Sequence, residues 1–95
     1  MNNQQDFAHE LEGQMRLLRT DLNILKVKAS EGIDKNEELH EVLFDVQEKI
    51  DKFEERISAL NESNPTFWPK AKSLAKKAWE DALYSVQFAK QYYLH

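Results

Sequence analysis

The sequence contains no cysteine, and it has only two glycines and two prolines among its 95 residues. Without cysteine the chain forms no disulfide and performs no thiolate chemistry, and its redox compartment stays undetermined. So few glycines and prolines leave little room for turns, which argues against an architecture of many β-strands. We therefore expect a helical protein.

Long apolar runs and an excess of positive charge are also missing. No run of apolar residues is longer than three, so no segment is predicted to span a membrane. Residues 1–6 lack the basic and apolar regions of a signal peptide. The formal net charge of -4 argues against a general nucleic-acid binder, which needs a basic surface. These absences predict a soluble, cytoplasmic protein without a nucleic-acid partner.

A heptad pattern of apolar residues occupies the middle of the chain. Its members are separated alternately by four and three positions, which places them on one continuous stripe of a helix. We name this stripe the central seam; its members are Leu39, Leu43, Val46, Ile50, Phe53, Ile57 and Leu60. Such a stripe cannot stay in water, so the rest of the chain is predicted to cover it.

The N-terminal third shows the same spacing, at Leu11, Met15, Leu18, Leu22, Leu25 and Ala29. The connection after it admits two interpretations. As a break, Gly32 takes the left-handed position after a helix, and Asp34 caps the next helix with Glu37 three residues on. As a continuous helix, the heptad spacing runs through Gly32, and Asn36 is a buried polar residue that fixes the register.

The break is favoured because it gives three helices of similar length, over 6–31, 35–61 and 67–92. We therefore predict an all-α fold in a single domain over 1–95, with three long amphipathic helices in an up-down-up bundle. The alternative is one continuous coiled-coil helix plus a returning C-terminal helix, paired as a dimer.

The third helix has a predicted start and a distinctive surface. Thr66 is its predicted N-cap, and Pro69 lies in the first turn, where its missing N–H costs little. Five alanines form a strip that allows a neighbouring helix to approach closely: Ala71, Ala75, Ala78, Ala82 and Ala89. Trp68 and Trp79 lie along one edge of this strip, roughly 16 Å apart along the axis.

The tryptophans carry a family resemblance. They occur in Trp68-Pro69-Lys70-Ala71-Lys72 and in Ala78-Trp79-Glu80-Asp81-Ala82-Leu83, after a heptad segment. This pattern resembles a group of small, uncharacterised bacterial coiled-coil proteins with two tryptophans eleven residues apart in a C-terminal helix. The resemblance implies a helical architecture without an assigned activity. The chain departs from the group at Gly32, which interrupts a usually unbroken alanine-rich stretch, and at Pro69.

Charge is distributed unevenly along the chain. Residues 34–62 carry a net charge of -6, residues 66–95 carry +3 and residues 1–33 carry -1. The second and third helices are therefore predicted to suit each other as neighbours, within one chain or across a dimer. Exposed ion pairs are worth about 0–1 kcal/mol each, so they select an orientation more than they stabilise.

Patterns for catalysis or metal binding are weak. Glu37 and His40 have the spacing of the carboxylate–histidine pairs in di-metal helical bundles, and Asp6 and His9 repeat it. Both are interpreted as solvated helix surface, because His40 lies at the edge of the central seam. No nucleophile elbow and no glycine-rich phosphate loop is present. We predict no enzyme, no catalytic residue, no metal and no cofactor.

Aromatic residues mark the candidate interaction surface. Tyr84 and Phe88 lie four residues apart on the otherwise polar side of the third helix, and Tyr92 follows them. Together with Trp68 and Trp79 they are the predicted contacts for a second copy or another protein. Local packing against loops or the N-terminal tail is the competing interpretation.

These observations predict a non-enzymatic structural or protein-interaction protein that self-associates through its heptad seams, most simply as a homodimer. The alternative is reversible binding to a membrane surface through the third helix. That helix carries basic residues on both flanks of its apolar strip, namely Lys70, Lys72, Lys76 and Lys77.

Overall fold

Three α-helices make up the described chain. The computed structural model describes residues 3–31 and 37–93, with side chains over 6–30 and 40–92. Helix α1 spans Asn3–Glu31, α2 spans Glu37–Glu62 and α3 spans Trp68–Tyr93. The predicted all-α fold is confirmed, and each helix begins and ends within three residues of its predicted bounds.

Helices α1 and α2 run antiparallel. Arg19 donates to Asp51 at 3.1 Å, and the Asn61 side chain donates to Glu12 at 3.4 Å, so α1 ascends as α2 descends. The alternative prediction of one continuous helix is therefore wrong, because such a rod would hold Glu12 and Asn61 far apart. The cap residues predicted at Gly32 and Asp34 lie outside the described residues.

Helices α1 and α3 run parallel, which completes the up-down-up arrangement. Phe7 meets Trp68 at one end of the bundle, and Asp21 pairs with Lys90 further along both helices. The bundle measures 51 × 20 × 18 Å, so its length is close to that of the individual helices. Within the described residues, none of the helices is both long and apolar enough to cross a bilayer.

The central seam forms the middle of the hydrophobic core. Its described members, from Leu43 to Leu60, are at most 8% exposed, and Ile50 and Phe53 are completely buried. Helix α1 contributes Ala8, Leu11, Leu18, Leu22 and Leu25, and α3 contributes Ala75, Ala78, Ala82, Val86 and Ala89. The seam is thus covered within one chain, and its described side chains are not available to a second copy.

The alanine strip lies at the contact between α3 and the other two helices. Four of its five members are buried, and Ala71 is half-buried. Beside the strip, the buried Ser85 hydroxyl donates to the Asp45 carboxylate at 3.2 Å and links α3 to α2. Small side chains at these positions let the three helices approach closely around the larger residues of the seam.

Asn64 shapes the turn between α2 and α3. Its side-chain oxygen accepts hydrogen bonds from the backbone N–H groups of Thr66 and Phe67, both at 3.0 Å. Helix α3 then begins at Trp68, with Pro69 in its first turn as predicted. The prediction of Thr66 as the cap is wrong, since Asn64 satisfies the N–H groups that precede the helix.

Candidate interaction surfaces

The predicted aromatic surface lies on the outer side of α3. Tyr84 is 71% exposed, and Phe88 and Tyr92 are also exposed. The Phe88 and Tyr92 rings are tilted by 34° with their centroids 6.4 Å apart. We name these three residues the α3 aromatic surface. Because they follow one another at four-residue intervals, they form one continuous apolar patch along the helix.

The two tryptophans lie elsewhere on α3, where Trp68 meets α1 and Trp79 packs against the core. Trp68 packs edge to face against Phe7, with the ring centroids 6.2 Å apart. The Lys72 ammonium lies 5.0 Å from the Phe7 ring and 5.1 Å from the Trp68 ring, within cation–π range. Trp79 is half-buried and packs against the core. The structure therefore separates the tryptophans from the α3 aromatic surface.

Both indole nitrogens of the tryptophans are buried. Neither Nε1 atom has a hydrogen-bond partner among the described residues. An unmade hydrogen bond of this kind costs about 1–3 kcal/mol, which the packing of the large indole rings offsets. Both tryptophans are therefore packing residues of the bundle, and their predicted contact with a partner stays a prediction.

Every ion pair among the described residues uses α1. Arg19 binds Asp51 and Glu54 of α2, and Lys90 of α3 lies 2.9 Å from Asp21. Burial alone would lower the pKa of the Arg19 guanidinium, but the hydrogen bonds and negative charge of both carboxylates outweigh it and raise that pKa. The predicted charge attraction between α2 and α3 produces no ion pair among the described residues.

Positive charge instead lines the groove between α2 and α3. The groove has an apolar floor that includes Leu74, Ala78 and Phe67. Its basic residues are Lys49, Lys52, Arg56, Lys70 and Lys77, with Asp81 as an acidic neighbour. None of these five cations forms an ion pair with a described residue. Although the chain is acidic overall, this groove is basic.

A third apolar surface lies on α1 and was not predicted from the sequence. Leu17 is 61% exposed, Val27 is 55% exposed and Ile24 is 49% exposed. They belong to a heptad series that is offset from the buried residues of α1. The signal was present in the sequence, because Gly13, Leu17, Thr20, Ile24 and Val27 are spaced alternately by four and three residues.

The two histidines that the structure describes, His9 and His40, lie on exposed helix surface. His9 Nδ1 lies 3.8 Å from Glu12 on an exposed part of α1, and His40 is exposed on α2. The Glu37 side chain, its predicted partner, lies outside the described residues. Among the side chains that are described, no group of three or more histidine, aspartate or glutamate residues is placed to hold a metal ion.

No protein-family model, no curated protein and no solved structure matches this chain. The resemblance to small bacterial coiled-coil proteins therefore stays a prediction.

Proposed function

We propose that this chain is a non-enzymatic helical protein that self-associates, most simply as a homodimer, and contacts other proteins. One observation carries the proposal: large apolar side chains remain on the outside although the core of the bundle is complete within one chain. Exposed apolar patches of this kind are typical of protein contact sites. On α3, the proposed surface for contact with another protein is the α3 aromatic surface.

The proposal also includes a cellular location and a coiled-coil character. We include a cytoplasmic location in a bacterium in this proposal, and its support is the resemblance to bacterial coiled-coil proteins. The heptad pattern supports the coiled-coil character of the helix contacts, since the seam packs at the alternating spacing that coiled coils use.

Thermal unfolding at several chain concentrations tests the self-association. If folded chains bind one another and unfolded chains do not, the unfolding midpoint rises with concentration. We expect such a rise, monitored by circular dichroism. A midpoint that stays constant over the accessible concentration range would contradict the proposal.

A second candidate function is binding to an anionic membrane surface. It is favoured by the basic groove, where Lys70 and Lys77 stand beside the exposed Phe67 and Leu74. Basic residues near an anionic surface contribute about 1 kcal/mol each, and apolar side chains add to this by insertion. Flotation with phosphatidylserine vesicles at low salt tests it, with the double variant Lys70→Gln/Lys77→Gln as the matched control. Absence of wild-type co-flotation would eliminate this candidate.

A further inference from the structure

The exposed face of α1 carries an uncharged stripe. Its five members are Gly13, Leu17, Thr20, Ile24 and Val27, and we name them the α1 outer stripe. They lie on the side of α1 that faces away from the core, since Thr20 is roughly 160° around the helix from the buried Leu18. No charged residue interrupts the stripe, which is unusual for the outer face of a helix in a chain with 32% charged residues.

Gly13 has no explanation within a single chain. It lies in the interior of α1, where glycine is unfavourable, and no described glycine has a positive φ angle. A Cβ atom placed on Gly13 would meet nothing within 4 Å. Neither the backbone nor the packing of the bundle therefore requires glycine here. The missing side chain leaves a recess at one end of the α1 outer stripe.

The geometry points to a second copy of this chain docked antiparallel on the α1 outer stripe, around a twofold axis near Thr20. In this register Leu17 lies opposite the partner's Ile24, and Gly13 lies opposite the partner's Val27. The symmetry repeats each contact on the other side of the axis. The recess at Gly13 receives an exposed valine, and the larger aliphatic side chains bury each other. This inference rests on the proposed self-association and assigns its surface.

Charges at the ends of the stripe select the antiparallel direction. Glu10 and Lys28 are exposed, lie eighteen residues apart and therefore face the same side of α1 after five full turns. Antiparallel docking brings Glu10 close to the partner's Lys28, and the twofold axis repeats this pair. Parallel docking would instead leave each glutamate about 27 Å along the axis from the partner's lysine, so this pair could not form. In the described chain neither residue has an ion-pair partner, so both charges are free to pair across the interface.

The groove between α2 and α3 is less suited to a second copy. A twofold axis there would bring together Lys49, Lys52 and Arg56 from both chains, at the cost of repulsion between like charges. The α1 outer stripe has no such charges between its ends. It therefore fits an identical partner better than the basic groove does.

Disulfide trapping tests the register, because the chain contains no cysteine of its own. Thr20→Cys places two thiols beside the axis, whereas Glu10→Cys places them roughly 30 Å apart in the antiparallel dimer. Disulfides need Cα atoms within about 7 Å of each other. We expect Thr20→Cys to oxidise to a covalent dimer, and Glu10→Cys and the exposed control Gln91→Cys on α3 to remain single chains on a denaturing, non-reducing gel.

Other outcomes of this experiment would overturn either the docking on the α1 outer stripe or the proposed self-association, and the two failures can be told apart. Oxidation of Glu10→Cys as readily as Thr20→Cys would indicate parallel docking. A native dimer whose Thr20→Cys variant stays uncrosslinked would place the second copy elsewhere, while leaving the proposed self-association intact. A wild-type chain that is monomeric at every concentration would end the proposed function itself.

A second set of variants tests the surface without cysteines. Leu17→Ser/Ile24→Ser should raise the dimer dissociation constant by roughly tenfold or more, because these side chains form the centre of the contact. The control Phe44→Ser removes an equally exposed side chain from the groove between α1 and α2 and should leave the constant unchanged. Tyr84→Ser/Phe88→Ser should also leave it unchanged. If that variant dissociates the dimer and Leu17→Ser/Ile24→Ser does not, the second copy sits on α3 and the inference is overturned.

Discussion

Phe7 of α1 meets Trp68 of α3 edge to face, at an interplanar angle of 70°. The contact joins the start of the first helix to the start of the third, at the end of the bundle where α2 turns into α3. It fixes the parallel direction of α1 and α3 through two residues that are distant in sequence. The Lys72 ammonium lies within cation–π range of both rings.

Phe7→Ala should therefore lower the free energy of unfolding by about 1–2 kcal/mol, since a half-buried ring and its aromatic contact are lost. Urea denaturation followed by circular dichroism measures the change. The matched control is Phe44→Ala, whose ring is largely exposed and whose removal should cost less than about 0.5 kcal/mol. Equal losses for both variants would contradict the role of the aromatic contact.

Arg19 should be the most sensitive charged residue of the bundle, because it binds two carboxylates of α2 at once. We expect Arg19→Gln to lower stability by about 0.5–1.5 kcal/mol at low salt and by less at 1 M salt, because the pairs are partly exposed. Urea denaturation at the two salt concentrations measures this. Arg16→Gln is the control, since Arg16 is exposed and has no ion pair with a described residue.

The pKa of Arg19 sets the alkaline limit of this contribution. Since the pKa is raised in the folded state, the stabilisation is present below the ordinary titration range of arginine and is lost only as the pH rises through the folded value. The arginine side of the interaction is therefore constant from acid to mild alkali. A loss of the difference between wild type and Arg19→Gln at pH 9 would contradict this.

Ala82 should not tolerate a larger side chain, because it is completely buried where α3 approaches the other helices. Ala82→Leu is expected to lower the free energy of unfolding by about 1–3 kcal/mol or to prevent folding, through overpacking. Ala59→Leu is the matched control on the exposed side of α2 and should change stability by less than about 0.5 kcal/mol. Thermal unfolding of both variants distinguishes the buried strip from ordinary surface.

Gly13→Ala should have opposite effects on the single chain and on the dimer. Helix propensity favours alanine by about 1 kcal/mol, and the open space around Gly13 accepts its methyl group. The isolated chain should therefore become more stable. The same methyl group fills the recess for the partner's Val27, so the dimer should weaken.

Unfolding in dilute solution and sedimentation at higher concentration separate these two effects of Gly13→Ala. Ser58→Ala is the control, because it raises helix propensity on an exposed part of α2 without touching the α1 outer stripe. That variant should stabilise the chain slightly and leave association unchanged. Tighter association of Gly13→Ala would contradict the register around Thr20.

The helices and the core could be predicted from periodicity. Residues such as Val46 and Ile50 repeat at the helical spacing, so the buried face of each helix follows from the order of the apolar residues. The helix ends were predicted less well, because Asn64 and Thr66 are both capping residue types and only the backbone geometry chooses between them. Capping depends on a few dihedral angles that composition does not determine.

The surfaces were harder to predict than the core. Net charge per segment suggested attraction between α2 and α3, yet Lys49 and Arg56 of α2 both face the lysines of α3. The net charge of a segment does not say which side of a helix each charged residue occupies. The α1 outer stripe was overlooked for a related reason, since the stronger heptad series through Leu18 and Leu22 accounts for α1 as a core helix.

The absolute mass of the chain in solution tests the central claim most directly. Static light scattering on a sizing column, at several loading concentrations, should give twice the chain mass of 11.2 kDa for the wild type. Leu17→Ser/Ile24→Ser should shift the mass toward that of a single chain while its helicity is preserved. A wild-type mass of 11.2 kDa at every concentration would contradict self-association, and with it the proposed function of this protein.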